Sequence, residues 1–258
     1  MKVGLCTSSR SERHLMEALQ KEIPESELFD VKQHIEHDEQ DNNILLIKDE
    51  MDILSYDLVV IPADRTEMTR FAMSCFHHNI PFCHYLTGSR SYSHTHDDIN
   101  RWMISLMSNF CFAESPEAKN NLIKMGIPED RILVTGTSHF DGITMQDIEA
   151  NKVPYSPRPY DLVLMNSETM GGGIDESWFS GVKENNIAIQ PNEDATRDYT
   201  KYYKQWSRLE FLYLLYNADN FISNSSAGHY ELPWLKERYG CKCKWINPSQ
   251  RNKERTPI

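Results

Sequence analysis

Asn220-Phe221-Ile222-Ser223-Asn224-Ser225-Ser226-Ala227-Gly228-His229-Tyr230-Glu231 is the stretch on which the reading of this chain turns. Phe221 and Ile222 close a short apolar run with the character of a buried strand. Small and polar residues follow, and Glu231 falls inside an amphipathic pattern continued by Leu232, Trp234 and Leu235. A strand, a small-residue turn and a helix start direct free backbone N–H groups and a positive helix end at one point, which suits a phosphate. Ser225 and Ser226 add two hydroxyls there, and Glu231 adds an acceptor for sugar hydroxyls. The plain reading of the same string is a serine N-cap on a surface helix, so the remainder of the chain has to decide.

Upstream, the same alternation repeats. Residues 2–6 read as a strand that runs into a polar turn, with Ser11 as a fair N-cap and Leu15, Met16 and Leu19 at helical spacing. Residues 24–43 are polar and acidic, with at most one edge strand near 28–31, and residues 44–54 show mixed helical spacing. Asp57-Leu58-Val59-Val60-Ile61 is continuous and rich in β-branched residues, as parallel core strands are. Further strands are expected at 80–84, 110–113 and 131–134, with helices between them, the one over 97–107 opened by Asp97 and Asp98. Pro154, Pro157 and Pro159 mark a linker over 148–160. Alternation then restarts with strands near 162–165, 187–190, 220–223 and 244–246. Strands alternating with helices predict an α/β fold of open parallel sheets. The expected domains are 1–147 and a smaller 161–258.

Bulk composition narrows the function classes. A chain of 258 residues with 40% hydrophobic content can build real cores, and no apolar run is long enough to span a bilayer. No charged-then-apolar leader opens at Met1, so a soluble cytoplasmic protein without membrane partners is expected. The six cysteines lack a C-x-x-C pair, and Cys241 with Cys243 has no further ligands nearby. No metal and no cofactor are expected. The net charge of −11 argues against a broadly basic nucleic-acid surface. Seven basic residues against two acidic ones between Lys236 and Arg255 still leave a local end suited to a small anion.

In doubly wound sheets ligands sit beyond the carboxyl ends of the strands. Arg10, Asp64, Arg65, His84, Arg90, Asp97, Asp98, Asn166, Asn192, Ser225, Ser226 and Glu231 fall there. Two such edges facing each other make a cleft for one shared ligand.

Together these residues resemble the UDP-N-acetylglucosamine 2-epimerase family, in particular its hydrolysing, sialic-acid-pathway-like branch. Thr7-Ser8-Ser9-Arg10-Ser11-Glu12 is similar to the family's first-strand arginine turn, and Ala63-Asp64-Arg65-Thr66-Glu67 to its G-D-R motif with Ala63 in the glycine position. Asp97-Asp98-Ile99-Asn100-Arg101 resembles its paired-acid helix start, and Val134 to Asp141 the strand that closes its first domain. Pro191-Asn192-Glu193-Asp194, the Asn-Ser-Ser-x-Gly-x-x-Glu string, Arg251 and Arg255 resemble its nucleotide site.

The resemblance implies two Rossmann-like domains of the GT-B type, the second reduced, facing across a cleft that holds a UDP-sugar. It implies that Arg10, Ser225, Ser226 and Arg251 hold the diphosphate, Glu231 the ribose, and Asn192 and Arg255 complete the nucleotide site. Arg65, His84, Arg90 and Asn166 are expected on the sugar or acceptor. Epimerase relatives are often dimers, so a homodimer is among the expectations.

Departures from the family pattern steer the expected chemistry. The family's His-x-Glu-Gly-Gly is His84-Tyr85-Leu86-Thr87-Gly88 here, and its His-Pro is Asn166-Ser167. Neither Leu86 nor Asn166 carries protons, whereas C2 epimerisation needs a base and an acid. The expectation is therefore a UDP-sugar glycosyltransferase, with Asp97 as the preferred base and Asp64 and Asp98 as further candidates. Leaving-group stabilisation would come from amides, serines and arginines. The acceptor is open, a modified DNA base included. The alternatives are a 2-epimerase, hydrolysing or not, that works through the aspartates, and a non-catalytic UDP-sugar binding protein.

Overall fold

The computed structural model describes residues 1–31, 35–37, 45–47, 55–91, 96–153, 159–166, 186–189 and 206–249, and its Cα trace divides into two units. The first comprises the described residues of Met1–Arg90 and His96–Asp141, the second Ser91 and those of Gly142–Arg255.

The strands of the first unit's main sheet are β1 (Val3–Thr7), β2 (Glu27–Asp30), β5 (Leu58–Pro62), β6 (Phe82–Thr87), β7 (Phe110–Ala113) and β8 (Ile132–Val134). They run parallel in the order β2-β1-β5-β6-β7-β8. Helices α1 (Arg10–Glu22), α2 (Thr66–His77), α3 (His96–Met107) and α4 (Pro116–Lys124) connect them. β1 is buried along its whole length and β5 in all but its first residue, as expected for strands covered by helices on both faces. Cys6, Val59 and Ile61 pack with Met68, Phe71 and Ile104 into one core, while Leu5 and Val60 pack with Leu15 and Met16 into another. Because β1 pairs with β2 on one side and β5 on the other, the sheet reverses its winding between β1 and β5. That reversal is where open α/β sheets leave a crevice for ligands.

β3 (Ile35–His37) and β4 (Leu45–Ile47) form an antiparallel pair with Ile35 opposite Ile47. This corrects the helical reading of residues 44–54 at 45–47, the rest of that stretch lying outside the described residues, and it corrects the limit of one strand over 24–43. Four apolar residues in a row do not separate helix from strand by periodicity, and the pairing with 35–37 decides for strand.

The second unit holds β9 (Asp161–Leu164), β10 (Ile187–Ala188), β11 (Asn220–Ser223) and β12 (Lys244–Ile246), a smaller parallel sheet in the order β10-β9-β11-β12. Helices α5 (Met145–Ala150), α6 (Arg208–Asn217) and α7 (Glu231–Tyr239) belong to it. Its core gathers Tyr160, Leu162, Leu212, Leu215, Phe221, Leu232 and Leu235. α5 overlaps the stretch read as the start of a linker. A reciprocal capping box between Thr144 and Asp147 starts the helix, and Ile148 is buried in the second core. Among the described residues no helix is long and apolar enough to cross a membrane.

Candidate functional site

Two sets of loops at carboxyl sheet edges carry the predicted polar residues, one in each unit. In the first unit the reversal point is flanked by the β1–α1 and β5–α2 turns. Ser9 caps α1, its Oγ accepting from Glu12 N–H at 3.3 Å. The Glu12 side chain folds back over that helix end. Its Oε2 accepts from Ser8 N–H at 2.7 Å and Ser8 O–H at 2.9 Å. Glu12 Oε1 is buried and makes no hydrogen bond among the described residues. Glu12 is only 5% exposed. Loss of hydration raises its pKa from the ordinary 4.5 to about 7, against the lowering effect of the Ser8 bonds and Arg65, while Asp64 adds to the rise.

The β5–α2 turn starts at Ala63, whose φ of 62° lies in the left-handed region that favours glycine. Asp64 and Arg65 follow, and Arg65 pairs with Glu67 at 3.1 Å. Arg101, 3% exposed, is the hub of this edge. Its Nη1 donates to the Ser89 carbonyl at 2.7 Å and to Asp98 Oδ1 at 3.0 Å, and its Nη2 bonds Asp64 Oδ2. One planar fork thus ties together the loops after β5 and β6 and the first turn of α3. Two of the three carboxylates expected as proton carriers, Asp64 and Asp98, are engaged by this guanidinium. Asp97 lies half-buried in the same first turn of α3.

His84 is fully buried, with Nε2 at 2.7 Å from the Ala63 carbonyl and Nδ1 at 2.8 Å from Ser105 Oγ. A carbonyl only accepts, so Nε2 carries the proton and Nδ1 accepts from the Ser105 hydroxyl. Burial is the main force pushing the imidazole down to about 4, so it stays neutral. With both nitrogens occupied, His84 in this arrangement offers none to a sugar. Arg90 lies over the Trp102 ring at 4.8 Å. Leu86 is buried with φ 56°, at the point where the β6–β7 register shifts.

In the second unit the opening string forms β11, a 3-10 turn over Ser226–Gly228 and then α7. Asn224 is fully buried and clamps the neighbouring loop at two points. Its Oδ1 accepts from Asn166 N–H at 2.8 Å, and its Nδ2 donates to the Asn166 carbonyl at 2.9 Å. Ser223 Oγ accepts from Ser225 N–H at 3.0 Å, and Ser225 Oγ from Ala227 N–H at 3.3 Å. The amides of Gly228, His229 and Tyr230 also bond within the turn. This narrows the expectation of free amides: the 3-10 geometry consumes most of them internally, and hydroxyls carry more of any anion contact. Glu231 opens α7, its Oε1 3.8 Å from Arg208 Nη1.

Gly228 is fixed by packing. A Cβ there would lie 2.2 Å from Trp245 Cε2. The indole cannot readily swing away, because its Nε1–H donates to the Ser223 carbonyl at 2.8 Å and His229 packs edge-on at 4.7 Å. Gly228→Ala is expected to cost about 1–3 kcal/mol by overpacking. Thermal unfolding checks this, and an unchanged Tm would show that the turn yields freely.

The side chain of Arg10, and all of Asn192, Arg251 and Arg255, lie outside the described residues. Glu12, Arg101, Asn224 and Arg208 shape these edges and were not singled out by sequence reasoning. Only Glu12 had a signal, the Ser-x-x-Glu pattern from Ser9, and that pattern announces a helix start rather than a proton carrier.

A family profile described as UDP-N-acetylglucosamine 2-epimerase matches residues 7–168. A UDP-N-acetylglucosamine 2-epimerase of Neisseria meningitidis serogroup A is 30% identical over 115 residues, 43% of this chain and 31% of that protein. The hydrolysing UDP-N,N'-diacetylbacillosamine 2-epimerase of Legionella pneumophila is 27% identical over 201 residues, 68% of this chain and 53% of that one. The chain thus covers about half or less of these relatives' length. The structure of a Neisseria meningitidis UDP-GlcNAc 2-epimerase bound to UDP-GlcNAc aligns with TM-score 0.68 and 19% identity, over 98% of this chain and 89% of that one, which shows a common GT-B-type fold.

These findings overturn the glycosyltransferase expectation. It took the loss of proton carriers at Leu86 and Asn166 as the loss of proton chemistry. The relatives are 2-epimerases, and a buried carboxyl with a near-neutral pKa remains at Glu12. The profile spans more than half of the 258 residues, and the chain belongs to the UDP-N-acetylglucosamine 2-epimerase family.

Proposed function

We propose that the chain acts on a UDP-N-acetylhexosamine as a 2-epimerase. The observation that carries this reading is the profile match over residues 7–168, which takes in every carboxyl-edge loop of the first sheet. In the second unit the Ser225-Ser226 turn and Glu231 supply hydroxyls and a carboxylate for the diphosphate and ribose, with Asn192, Arg251 and Arg255 of the same unit assigned to the nucleotide, and Arg10 in the first unit is assigned to a phosphate. Arg65, Arg90 and Asn166 are assigned to the sugar.

Inversion at C2 proceeds by elimination: a base takes the C2 proton as the C1–O bond to UDP breaks and a C1=C2 double bond forms, and a proton then adds to C2 from the other face as UDP or water adds at C1. Asp97 is proposed to take the C2 proton, and Glu12, which lies at the α1 end, to protonate the departing diphosphate. Asp64 and Asp98 act through Arg101, as their oxygens already accept from it.

The test is incubation with UDP-GlcNAc in D2O, followed by proton NMR. The expected result is deuterium at C2 together with a signal from the manno epimer. Free UDP accompanying that signal marks the hydrolysing variant, and an intact nucleotide sugar the other. Retention of the C2 proton in all recovered sugar would overturn the reading.

A further inference from the structure

We propose that Glu12 gates the β1–α1 turn already assigned to a phosphate through Arg10, so that the phosphate binds there together with uptake of one proton. The inference rests on the functional reading above for its ligand, a nucleoside diphosphate.

The geometry comes first. α1 is 13 residues long, and its positive end lies at the winding reversal between β1 and β5. In this position an open sheet ordinarily receives a ligand anion. Here the protein's own carboxyl occupies the helix end, with Oε2 on Ser8 N–H and O–H and Oε1 buried without a hydrogen bond among the described residues. An unsolvated oxygen of this kind is costly to keep, and in a helix cap it gains nothing. A proton on it would give it a donor function toward a ligand oxygen.

The surrounding charges do not settle Glu12 in one state. Arg65 from the β5–α2 turn favours the carboxylate, while Asp64 from the same turn opposes it, as does burial. Among the described residues the remaining group that faces it is the Cys6 thiol of β1, which burial keeps protonated. With a pKa of about 7, the ionised and neutral forms are comparably populated near neutrality. An ionised Glu12 repels a diphosphate from the helix end, and a neutral one admits it. Binding must therefore pull a proton onto Glu12.

The experiment is calorimetric titration of the full chain with UDP at pH 7, in two buffers of different ionisation enthalpy, for the wild type and Glu12→Gln. The glutamine keeps the shape and can still accept from Ser8, but it does not titrate. Protons from the terminal phosphate of UDP enter both titrations alike. The expected difference between the two proteins is about 0.4–0.5 proton taken up per UDP by the wild type. Above pH 7 the wild-type Kd is expected to rise relative to the variant by up to about tenfold per pH unit. Equal proton counts with clear binding heat overturn the coupling alone. No binding heat in either protein at any pH overturns the functional reading and the coupling with it. If Glu12→Gln fails to fold, wild type labelled with 13C at glutamate carboxyls gives a second measurement. The signal with a midpoint near pH 7 is expected to move to higher pH when UDP is added, and a midpoint that stays in place overturns the proposal.

Discussion

Arg101→Met is expected to destabilise the first unit by about 3–5 kcal/mol, the usual cost of removing one partner from a buried ion pair. Arg101 is 3% exposed and holds the Asp64 and Asp98 carboxylates and the Ser89 carbonyl at once. Methionine fills much of the same volume but removes the guanidinium from all three acceptors. Most of the loss is therefore stranded charge rather than missing attraction, and this can be separated experimentally. Adding Asp64→Asn and Asp98→Asn to Arg101→Met is expected to recover a large part of the loss. Arg101→Lys should fall between, since an ammonium lacks the planar fork that reaches several acceptors in fixed directions. Urea unfolding of the four proteins, followed at constant m, checks the order. An Arg101→Met protein within 1 kcal/mol of wild type would mean that water enters and solvates the two aspartates, and that the hub is not what fixes these loops.

That hub also marks where sequence reading stops. Alternating apolar runs and polar turns are local signals, so strands such as Leu58–Pro62 and Asn220–Ser223 are legible in the sequence alone. The string from Asn220 to Glu231 is legible for the same reason, since its strand, turn and helix are contiguous. Arg101 is visible there as a residue but not as a hub, because Ser89 and Asp64 reach it from separate loops 12 and 37 positions away. Asn224 lies within the opening string, yet the backbone of Asn166 that it clamps is 58 positions distant. Glu12 is hidden by an adequate local explanation. A carboxylate three residues after a capping serine needs no further role, and only burial of its side chain shows that it is poorly served by that one. Reading chemistry from motif losses fails in the same way. Leu86 and Asn166 remove two groups from a pattern, but a pattern does not report which other carboxyls the fold has enclosed.

Glu12→Gln is expected to stabilise the protein in alkaline solution and to do little in acid. The sign follows from where the proton is held more tightly. Burial raises the Glu12 pKa in the folded chain to about 7, whereas the unfolded chain has the ordinary 4.5. Below pH 4.5 both states carry the proton, and the group costs nothing. Between 4.5 and 7 the unfolded chain ionises first, so folding stability falls as pH rises; above about 7 the loss is complete. At 1.36 kcal/mol per pH unit of separation the full loss comes to about 3 kcal/mol. A glutamine accepts from Ser8 through its carbonyl oxygen and has no charge to bury, so it avoids this loss. The Tm difference between the variant and the wild type should therefore grow from near zero at pH 4.5 to its largest value above pH 8, with glutamine the more stable. A difference that is constant with pH would show that Glu12 is solvated and titrates normally. A less stable variant at pH 9 would show that the Arg65 attraction outweighs burial. If the predicted trend is found, the wild-type chain keeps a carboxyl that weakens its fold at neutral pH. Strained and destabilising features cluster at sites of function, and that result would support a role for Glu12 in the working part of the β1–α1 turn beyond its cap.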